Sequence, residues 1–421
     1  MQPSRSSSLT LAAVLAAGLF TLAPAGPAAA LPQKPPVTVN GERISAADGE
    51  LVVRDAGAGA GAGLSPQQAL EGLIAETVVL QEARRLKIEG TPRFSRALRR
   101  WRENRAIGLI GVDELRRVAG HGKPVPFAAF YPQGAAAFAA LSEAEFTTVD
   151  NAVKERISKL HTQARVLIDG RAVRQYAVLR NIQPETVRSV VAATTSWGTI
   201  TLEDIVAEEP QNLGHQAQNT DDVLKMWQQI ASELAGRMCV LATAEKAGFF
   251  AVPAVKADDA RARRQLVQTA YFESYFAERV TPDALTGRIG QSIDDWTRDF
   301  GLSVEVATLP HASRLDAETA LTGWRDGGGA LPPLATREKL TLGAAWPRFS
   351  ADQKRIVMDQ PWSGVVPPLR SGDGYQLLRL EATAPPKGSA TLRDHAEALL
   401  REELRAAKVR ELLSVADIKE N

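Results

Sequence analysis

Apolar residues recur at helical spacing along several long stretches of the chain. They fall on one face of predicted helices over 66–88 and 93–118, and again over about 256–278. A further helix is predicted over 281–300, because a threonine and a proline open it and a glycine follows it. The stretch 391–415 is so one-sided that we expect it to dock on another part of the fold. The pattern predicts a mainly helical protein.

Shorter stretches carry the alternation and the turn residues of strands. Residues 37–45 predict two short strands around an Asn-Gly turn, and strand patterns recur at 164–169, 302–309 and 375–380. Strands and helices together predict an α+β fold class, with mainly helical modules and one small α/β domain.

One stretch of the chain repeats an earlier one. Residues 234–249 follow the pattern of residues 73–88, with Ala244 aligned on Ala83, an offset of 161 residues. A hairpin-like stretch precedes each copy and a long helix follows it, which favours two diverged helical modules at 37–190 and 193–280. The alternative is chance similarity, since helical periodicity alone produces such matches.

Residues 1–30 have the pattern of a secretory signal peptide. An apolar run at 9–22 precedes three alanines that form an A-x-A type cleavage site near Ala30. The run is too short for a permanent membrane-spanning helix, although an N-terminal membrane anchor is the alternative. We therefore expect a periplasmic, exported protein without stable membrane insertion.

Composition limits the partners and the redox chemistry. A chain of 421 residues that is 44% hydrophobic predicts two or three domains. The net charge of +1 favours a solvated face over a nucleic-acid patch for the arginines of 93–118, so we expect no nucleic-acid partner. Cys239 is the only cysteine, which excludes an intramolecular disulfide and predicts a buried, inert thiol.

The remaining polar residues show no spacing typical of a metal site or a hydrolase triad. Gly327–Gly329 lacks the lysine and hydroxyl residue of a phosphate-binding loop. His395 falls on the predicted polar side of the last helix, where we expect it to be solvated. We predict no metal and no cofactor, because the five histidines are scattered: His121, His161, His215, His311 and His395.

Residues 361–386 carry the most specific motif. Trp362-Ser-Gly, Pro367, Ser371 and Gly374-Tyr375 follow one another in the order of the last hairpin of a parvulin-type peptidyl-prolyl isomerase domain. Together with the signal pattern, the Val-Asn-Gly turn and the C-terminal helix, this motif makes the chain resemble the SurA and PpiD type of exported chaperones.

The resemblance implies a domain order. It implies a parvulin-like domain at 281–384, inserted between the two halves of a helical chaperone module. Those halves would be 37–120 and 390–418, so that the C-terminal helix at 390–418 docks on a helical module.

The candidate site of the parvulin-like domain departs from the family. Active parvulins resemble one another in placing one histidine on the first strand of the domain and another on the last. At the corresponding positions, approximately, this chain has Ala307 and Gln376. Catalysis of isomerisation lowers a rotational barrier of about 20 kcal/mol by twisting and desolvating the amide in an apolar pocket, which needs no covalent chemistry. We predict Gln376 and Tyr375 as catalytic residues. Ordinary core packing is the alternative for the three predicted substrate-binding residues, Phe349, Met358 and Trp362.

These features predict a periplasmic folding factor that is similar to a peptidyl-prolyl cis-trans isomerase and binds unfolded or nascent exported polypeptides. Whether it is an enzyme stays open, because the histidine pair is missing. The alternative is a catalytically inactive parvulin-like interaction subunit of an envelope or surface-polymer assembly.

Overall fold

The structure is a computed structural model that describes residues 37–44, 65–119, 125–164, 166–171, 187, 190–208, 220–325 and 335–420. The predicted signal peptide, the glycine turn at 327–329, His121 and His215 lie outside these residues. The chain divides into two compact units. Unit 1 comprises the residues up to 268 together with 417–421, and unit 2 comprises residues 269–416.

The described elements of unit 1 are, in chain order, β1 (Val37–Val39), β2 (Glu42–Ile44), α1 (Pro66–Arg85), α2 (Pro92–Ala119), α3 (Phe127–Phe130), α4 (Gly134–Ala139), α5 (Glu143–Gln163), β3 (Val166–Ile168), β4 (Val191–Thr195), β5 (Gly198–Thr201), α6 (Leu202–Glu208) and α7 (Thr220–Lys246). The boundary between the units falls inside α8 (Pro253–Ala277), earlier than the predicted start of the parvulin-like domain at 281.

Unit 2 continues with α9 (Pro282–Phe300), β6 (Ser303–Leu309), α10 (Arg314–Arg325), β7 (Thr336–Thr341), α11 (Leu342–Ala345), α12 (Ala351–Met358), β8 (Gly364–Ser371), β9 (Gly374–Glu381) and α13 (Leu392–Val415), after which β10 (Ile418–Glu420) belongs to unit 1. The described residues are therefore mainly helical with three small antiparallel sheets, which confirms the α+β fold class. Within these residues no helix is both long and apolar enough to cross a membrane.

The first and last described strands meet in one sheet of unit 1. β1 pairs with β2 through Asn40 and Gly41, whose φ angles of 48° and 82° are those that asparagine and glycine tolerate best. The other edge of β1 pairs with β10. The backbone N–H of Asp417 donates to the side-chain oxygen of Asn40 at 2.8 Å, which fixes the entry of β10.

The two stretches that the sequence aligns at an offset of 161 residues have the same local backbone structure. A helix ends, one residue takes the left-handed conformation, a 3₁₀ turn follows, and a proline opens the next helix. The two aligned alanines are both fully buried. The equivalent pairs are Ala83 and Ala244, Lys87 and Gly248, Ile88 and Phe249, and Pro92 and Pro253.

The main core of unit 1 lies where α2, α5 and α7 pack on one another. Its side chains come from the apolar faces that helical periodicity predicts, among them Leu109, Ile110, Leu115, Val149, Val153 and Val240. A second cluster packs the sheet of β3, β4 and β5 on α6 and α7, with Ala193, Ile200, Leu202, Ile205 and Trp227 buried. Cys239 is buried and its burial raises the pKa of the thiol, as expected for an inert cysteine.

The arginine-rich face of α2 is not the freely solvated face that the sequence predicts. Arg96 and Arg99 form ion pairs with Glu203 and Asp204, the buried carboxylates that open α6. Charges are buried at low cost only when they are paired, so these arginines hold α2 and α6 together. The sequence could not show this, because the partners lie more than one hundred residues apart.

Unit 2 is built around an antiparallel sheet with the strand order β7-β6-β9-β8. The predicted strands at 302–309 and 375–380 are confirmed as β6 and β9, which lie side by side in its centre. The prolines of β8 lie where its pairing with β9 is irregular, at an edge where a missing backbone donor is tolerated.

The two faces of this sheet bury different clusters. One face packs on α9, α12 and α13, with Leu285, Ile289, Trp296, Val304, Trp346, Val357 and Leu378 buried. The other face packs on α10, with Ala307, Leu309, Ala317, Leu321, Trp324 and Leu377 buried. Successive residues of β6 and β9 therefore belong to opposite cores.

The C-terminal helix α13 lies in unit 2. It packs on α9 and on the last turns of α8, where the guanidinium groups of Arg401 and Arg405 lie 5.2 and 4.9 Å from the ring centres of Phe276 and Phe272. The helix is therefore docked on helices of the unit that also holds the four-stranded sheet.

The sequence predicts a solvated His395, and this prediction is wrong. The imidazole lies 4.8–5.8 Å from the ring centres of Trp296, Phe300 and Trp362. Burial, followed by the charge of Arg288, lowers its pKa, so the group is neutral at pH 7. The aromatic neighbours come from distant segments, which helical periodicity alone does not reveal.

Candidate functional site

The start of β9 places the two predicted catalytic residues. Gly372 turns the hairpin with a φ of 60°, and a Cβ on Gly374 would lie 2.1 Å from the carbonyl oxygen of Leu309. Only glycine permits this close approach of two backbones. Tyr375 then pairs with Leu309 across β6, and Gln376 follows it.

Tyr375 and Gln376 point to opposite faces of the sheet. Tyr375 packs with the cluster on the α10 side, whereas Gln376 contacts Gln353 of α12 on the other side. Consecutive residues of a strand alternate between faces, so this separation follows directly from their positions. A ligand on one face of the sheet would therefore meet one of these side chains and not the other.

A chain of hydrogen bonds orients the carboxamide of Gln376. The backbone N–H of Ser350 donates to Oε1 of Gln353 at 2.9 Å, which directs the amide nitrogen of Gln353 to Oε1 of Gln376 at 3.2 Å. In the described part of the chain, Nε2 of the half-buried Gln376 meets no hydrogen-bond acceptor. That nitrogen is a free donor that can bind a carbonyl oxygen.

The three predicted substrate-binding residues lie in the core on the same face as Gln376. Phe349, Met358 and Trp362 are only 7%, 1% and 5% exposed. The indole Nε1 of Trp362 donates to the carbonyl oxygen of Ser389 at 2.9 Å, so its polar atom is used internally. Access of a proline ring to these side chains would require α9, α12 or α13 to move.

The second position at which the resembled family has a histidine is also buried. Ala307 is fully buried on β6, where it faces α10 and pairs with Leu377. Its methyl group supplies neither a hydrogen bond nor a charge. Ala307 and Gln376 therefore lie on opposite faces of the sheet and form no common site.

A histidine–aspartate pair lies beside Tyr375, and its aspartate was missed in the sequence. Nδ1 of His311 lies 2.6 Å from the carboxylate of Asp373, and the two side chains are 77% and 67% exposed. His311 has a φ of 56°, a conformation that is uncommon for a residue other than glycine. The carboxylate of Asp373 therefore orients the imidazole through Nδ1. The Gly-Asp-Gly turn at 372–374 was the available signal.

The described residues hold no group of three or more histidine, cysteine, aspartate or glutamate side chains placed to bind a metal ion. The predicted site residues likewise supply hydroxyl, amide and apolar groups, not a cofactor-binding set.

Comparison with known proteins gives one structural likeness. No family model and no curated protein matches the chain. A solved structure matches with 12% sequence identity over 92% of this chain and 99% of the other, at a TM-score of 0.24. Its description concerns PEB4 and Cj1289 of Campylobacter jejuni, two structurally related SurA-like chaperones. At this TM-score the likeness carries no argument about fold or function.

Proposed function

We propose that the protein is a chaperone-type factor that binds unfolded exported polypeptides in the periplasm. The observation that carries the proposal is the pairing of β1 with β10, which joins the two ends of the described chain in unit 1 while unit 2 is inserted between them. The exported chaperones that the sequence resembles share this order of an interrupted module and an inserted domain. The signal pattern at residues 1–30 supports the compartment.

Binding without efficient isomerisation is the activity that the candidate site supports best. A buried alanine and a glutamine stand where the resembled family has histidines, and the apolar residues that would grip proline are in the core. The free Nε2 of Gln376 supports at most a weak isomerase, because one donor to a carbonyl oxygen lacks the apolar shelf that desolvates the amide.

Two assays on the purified mature protein test the proposal. The first measures suppression of aggregation of a urea-unfolded protein, and the second measures X-Pro exchange by NMR. We expect suppressed aggregation and little or no acceleration of exchange. Acceleration that is lost in both Tyr375→Ala and Gln376→Ala would instead make the protein an isomerase with an altered site.

The inactive interaction subunit makes a different prediction. Such a subunit would not suppress aggregation, and it would be recovered from cells with one partner in fixed stoichiometry. A chaperone-type factor would be recovered with many polypeptides in variable amounts.

A further inference from the structure

A cleft of about 570 Å³ lies between α5 and α7 on unit 1. Its walls combine one apolar side chain with polar groups from both helices, chiefly Ile157, Ser158, His161, Gln229, Ser232 and Glu233. None of these residues belongs to the sheet of unit 2, so the cleft is separate from the site that the sequence predicts.

The imidazole of His161 forms part of the wall and lies directly against α7. A Cβ on Gly236 would lie 2.6–2.7 Å from three atoms of the ring, so the imidazole packs against the backbone of α7 at this glycine.

Nε2 of His161 is buried and has no hydrogen-bond partner in the described part of the chain. Burial, followed by the charge of Arg237, lowers the pKa of this histidine, so the imidazole is neutral at pH 7. A neutral imidazole nitrogen either donates or accepts one hydrogen bond. A buried polar atom without a partner costs free energy, and a hydrogen bond to a bound ligand, reached by rotation of the ring toward the cleft, recovers it.

The other polar groups of the cleft are partly satisfied within their own helices. The hydroxyl of Ser232 donates to the carbonyl oxygen of Gln228 at 2.9 Å, and the amide nitrogen of Gln229 donates to Glu233 at 3.2 Å. The serine oxygen and the carbonyl oxygen of Gln229 keep acceptor capacity. Lys154 at the end of the cleft is paired with Asp150 at 2.5 Å, which weakens any preference for an anion.

This set of groups fits a peptide backbone. An extended chain offers N–H donors and C=O acceptors in alternation, together with side chains that can cover Ile157. The lining of α5 extends over residues 154–162, about 12 Å of helix, which is the length of three or four extended residues.

We propose that this cleft binds a short extended segment of unfolded polypeptide, with the imidazole of His161 hydrogen-bonded to one of its backbone amides. The proposal rests on the polypeptide-binding function proposed above and assigns a site to it.

Site-specific photo-crosslinking on the full mature protein tests the assignment. The photoreactive residue p-benzoylphenylalanine replaces Ser232 in the cleft or, as a matched control, the exposed helical Ser274 of α8. The probe is reduced, carboxymethylated α-lactalbumin, which stays unfolded in buffer. We expect at least about fivefold more crosslinking from position 232 than from position 274.

Two variants test the chemistry. His161→Phe keeps a ring against Gly236 but removes the hydrogen bond, and Ser158→Trp fills the cleft from an exposed position that leaves the core intact. His161→Phe should weaken binding of the probe about five- to tenfold, the loss expected for one hydrogen bond. Ser158→Trp should weaken it at least as much, because its indole ring occupies the cleft. Circular dichroism verifies that each variant is folded, and Ser158→Trp decides the question if His161→Phe is not.

The outcomes separate this assignment from the proposed function. If the protein binds the probe but positions 232 and 274 crosslink equally, or Ser158→Trp binds as well as the unaltered protein, the cleft is not the site and the proposed function stands. If the unaltered protein binds no unfolded polypeptide at all, the proposed function fails and the cleft assignment fails with it.

Discussion

The two copies of the repeated helical connection follow one backbone path with different chemistry. In the first copy Lys87 takes the left-handed conformation, and the hydroxyl of Thr91 accepts a hydrogen bond from the backbone N–H of Phe94 at 3.3 Å. In the second copy Gly248 takes that conformation, and Val252, which has no hydroxyl, stands at the cap position. Burial of the flanking helices therefore determines the path more than any single turn residue does.

Removal of an aromatic ring from the second copy should give the largest loss of stability among the variants of the two copies. Phe249 stands where the first copy has Ile88, and its ring centre lies 4.2 Å from that of Phe127. We expect Phe249→Ala to lower the free energy of unfolding by about 3–5 kcal/mol, because it removes a buried ring and leaves a cavity. Ile88→Ala, which removes fewer atoms, should cost about 2–4 kcal/mol. Urea titrations followed by circular dichroism measure both losses.

The control for this comparison is Phe127→Leu, which removes the stacked partner and keeps an apolar side chain. In the Phe127→Leu background, the loss of unfolding free energy caused by Phe249→Ala should be closer to the loss caused by Ile88→Ala. Equal losses in the two alanine variants of the unaltered background would contradict a separate contribution of the aromatic contact.

Features that depend on neighbouring residues could be predicted from the sequence, whereas features that depend on contacts between remote segments could not. The bounds of α9 were predictable because a threonine cap, a proline and a left-handed Gly301 are local signals. The ion pairs of Arg96 and Arg99 and the aromatic surroundings of His395 were not, because each partner comes from a remote segment.

The candidate site likewise has features that could be predicted from the sequence and features that could not. The sequence located Tyr375 and Gln376 at the start of a strand, and strand alternation implies that they face opposite sides. It could not show that helices from both ends of unit 2 close over Phe349, Met358 and Trp362. The contact of His311 with Asp373 depends on two turns 62 residues apart that meet only in three dimensions.

A half-buried acid of the second copy gives the next largest effect. Asp258 and Asp259 of α8 stand where the first copy has an alanine and a leucine. Tyr131 and Arg105 both bond to Asp258, at 2.7 and 2.8 Å. Oδ1 of Asp259 has no hydrogen-bond partner among the described residues. Burial raises the pKa of Asp259 to about 6, despite the opposing charges of Arg105 and Arg102.

This shift has a definite sign. The unfolded chain has the ordinary carboxyl pKa of about 4, so the folded state binds the proton more tightly and the contribution of Asp259 to stability falls as the pH rises from about 4 to 6. Asp259→Asn should therefore raise the free energy of unfolding at pH 7.5 by about 1–2 kcal/mol, allowing for solvent screening at this half-buried position. At pH 4 it should have little effect.

Urea titrations of Asp259→Asn at both pH values measure the difference. Asp258→Asn is the matched control and should destabilise at pH 7.5, because it weakens the contacts with Arg105 and Tyr131. An equal effect of Asp259→Asn at pH 4 and pH 7.5 would show that the carboxyl group does not titrate differently in the folded state.

The left-handed position of the turn should give the smallest effects, and they should have opposite signs in the two copies. A Cβ on Gly248 meets no atom within 4 Å, so Gly248→Ala introduces only backbone strain, about 1 kcal/mol of destabilisation. Lys87→Gly relieves the same strain but frees the unfolded chain, so it should stabilise by only about 0.5 kcal/mol. Thermal unfolding of the two variants measures both changes. If Gly248→Ala costs nothing, the backbone adapts at this turn, and the flanking helices alone determine the path that both copies share.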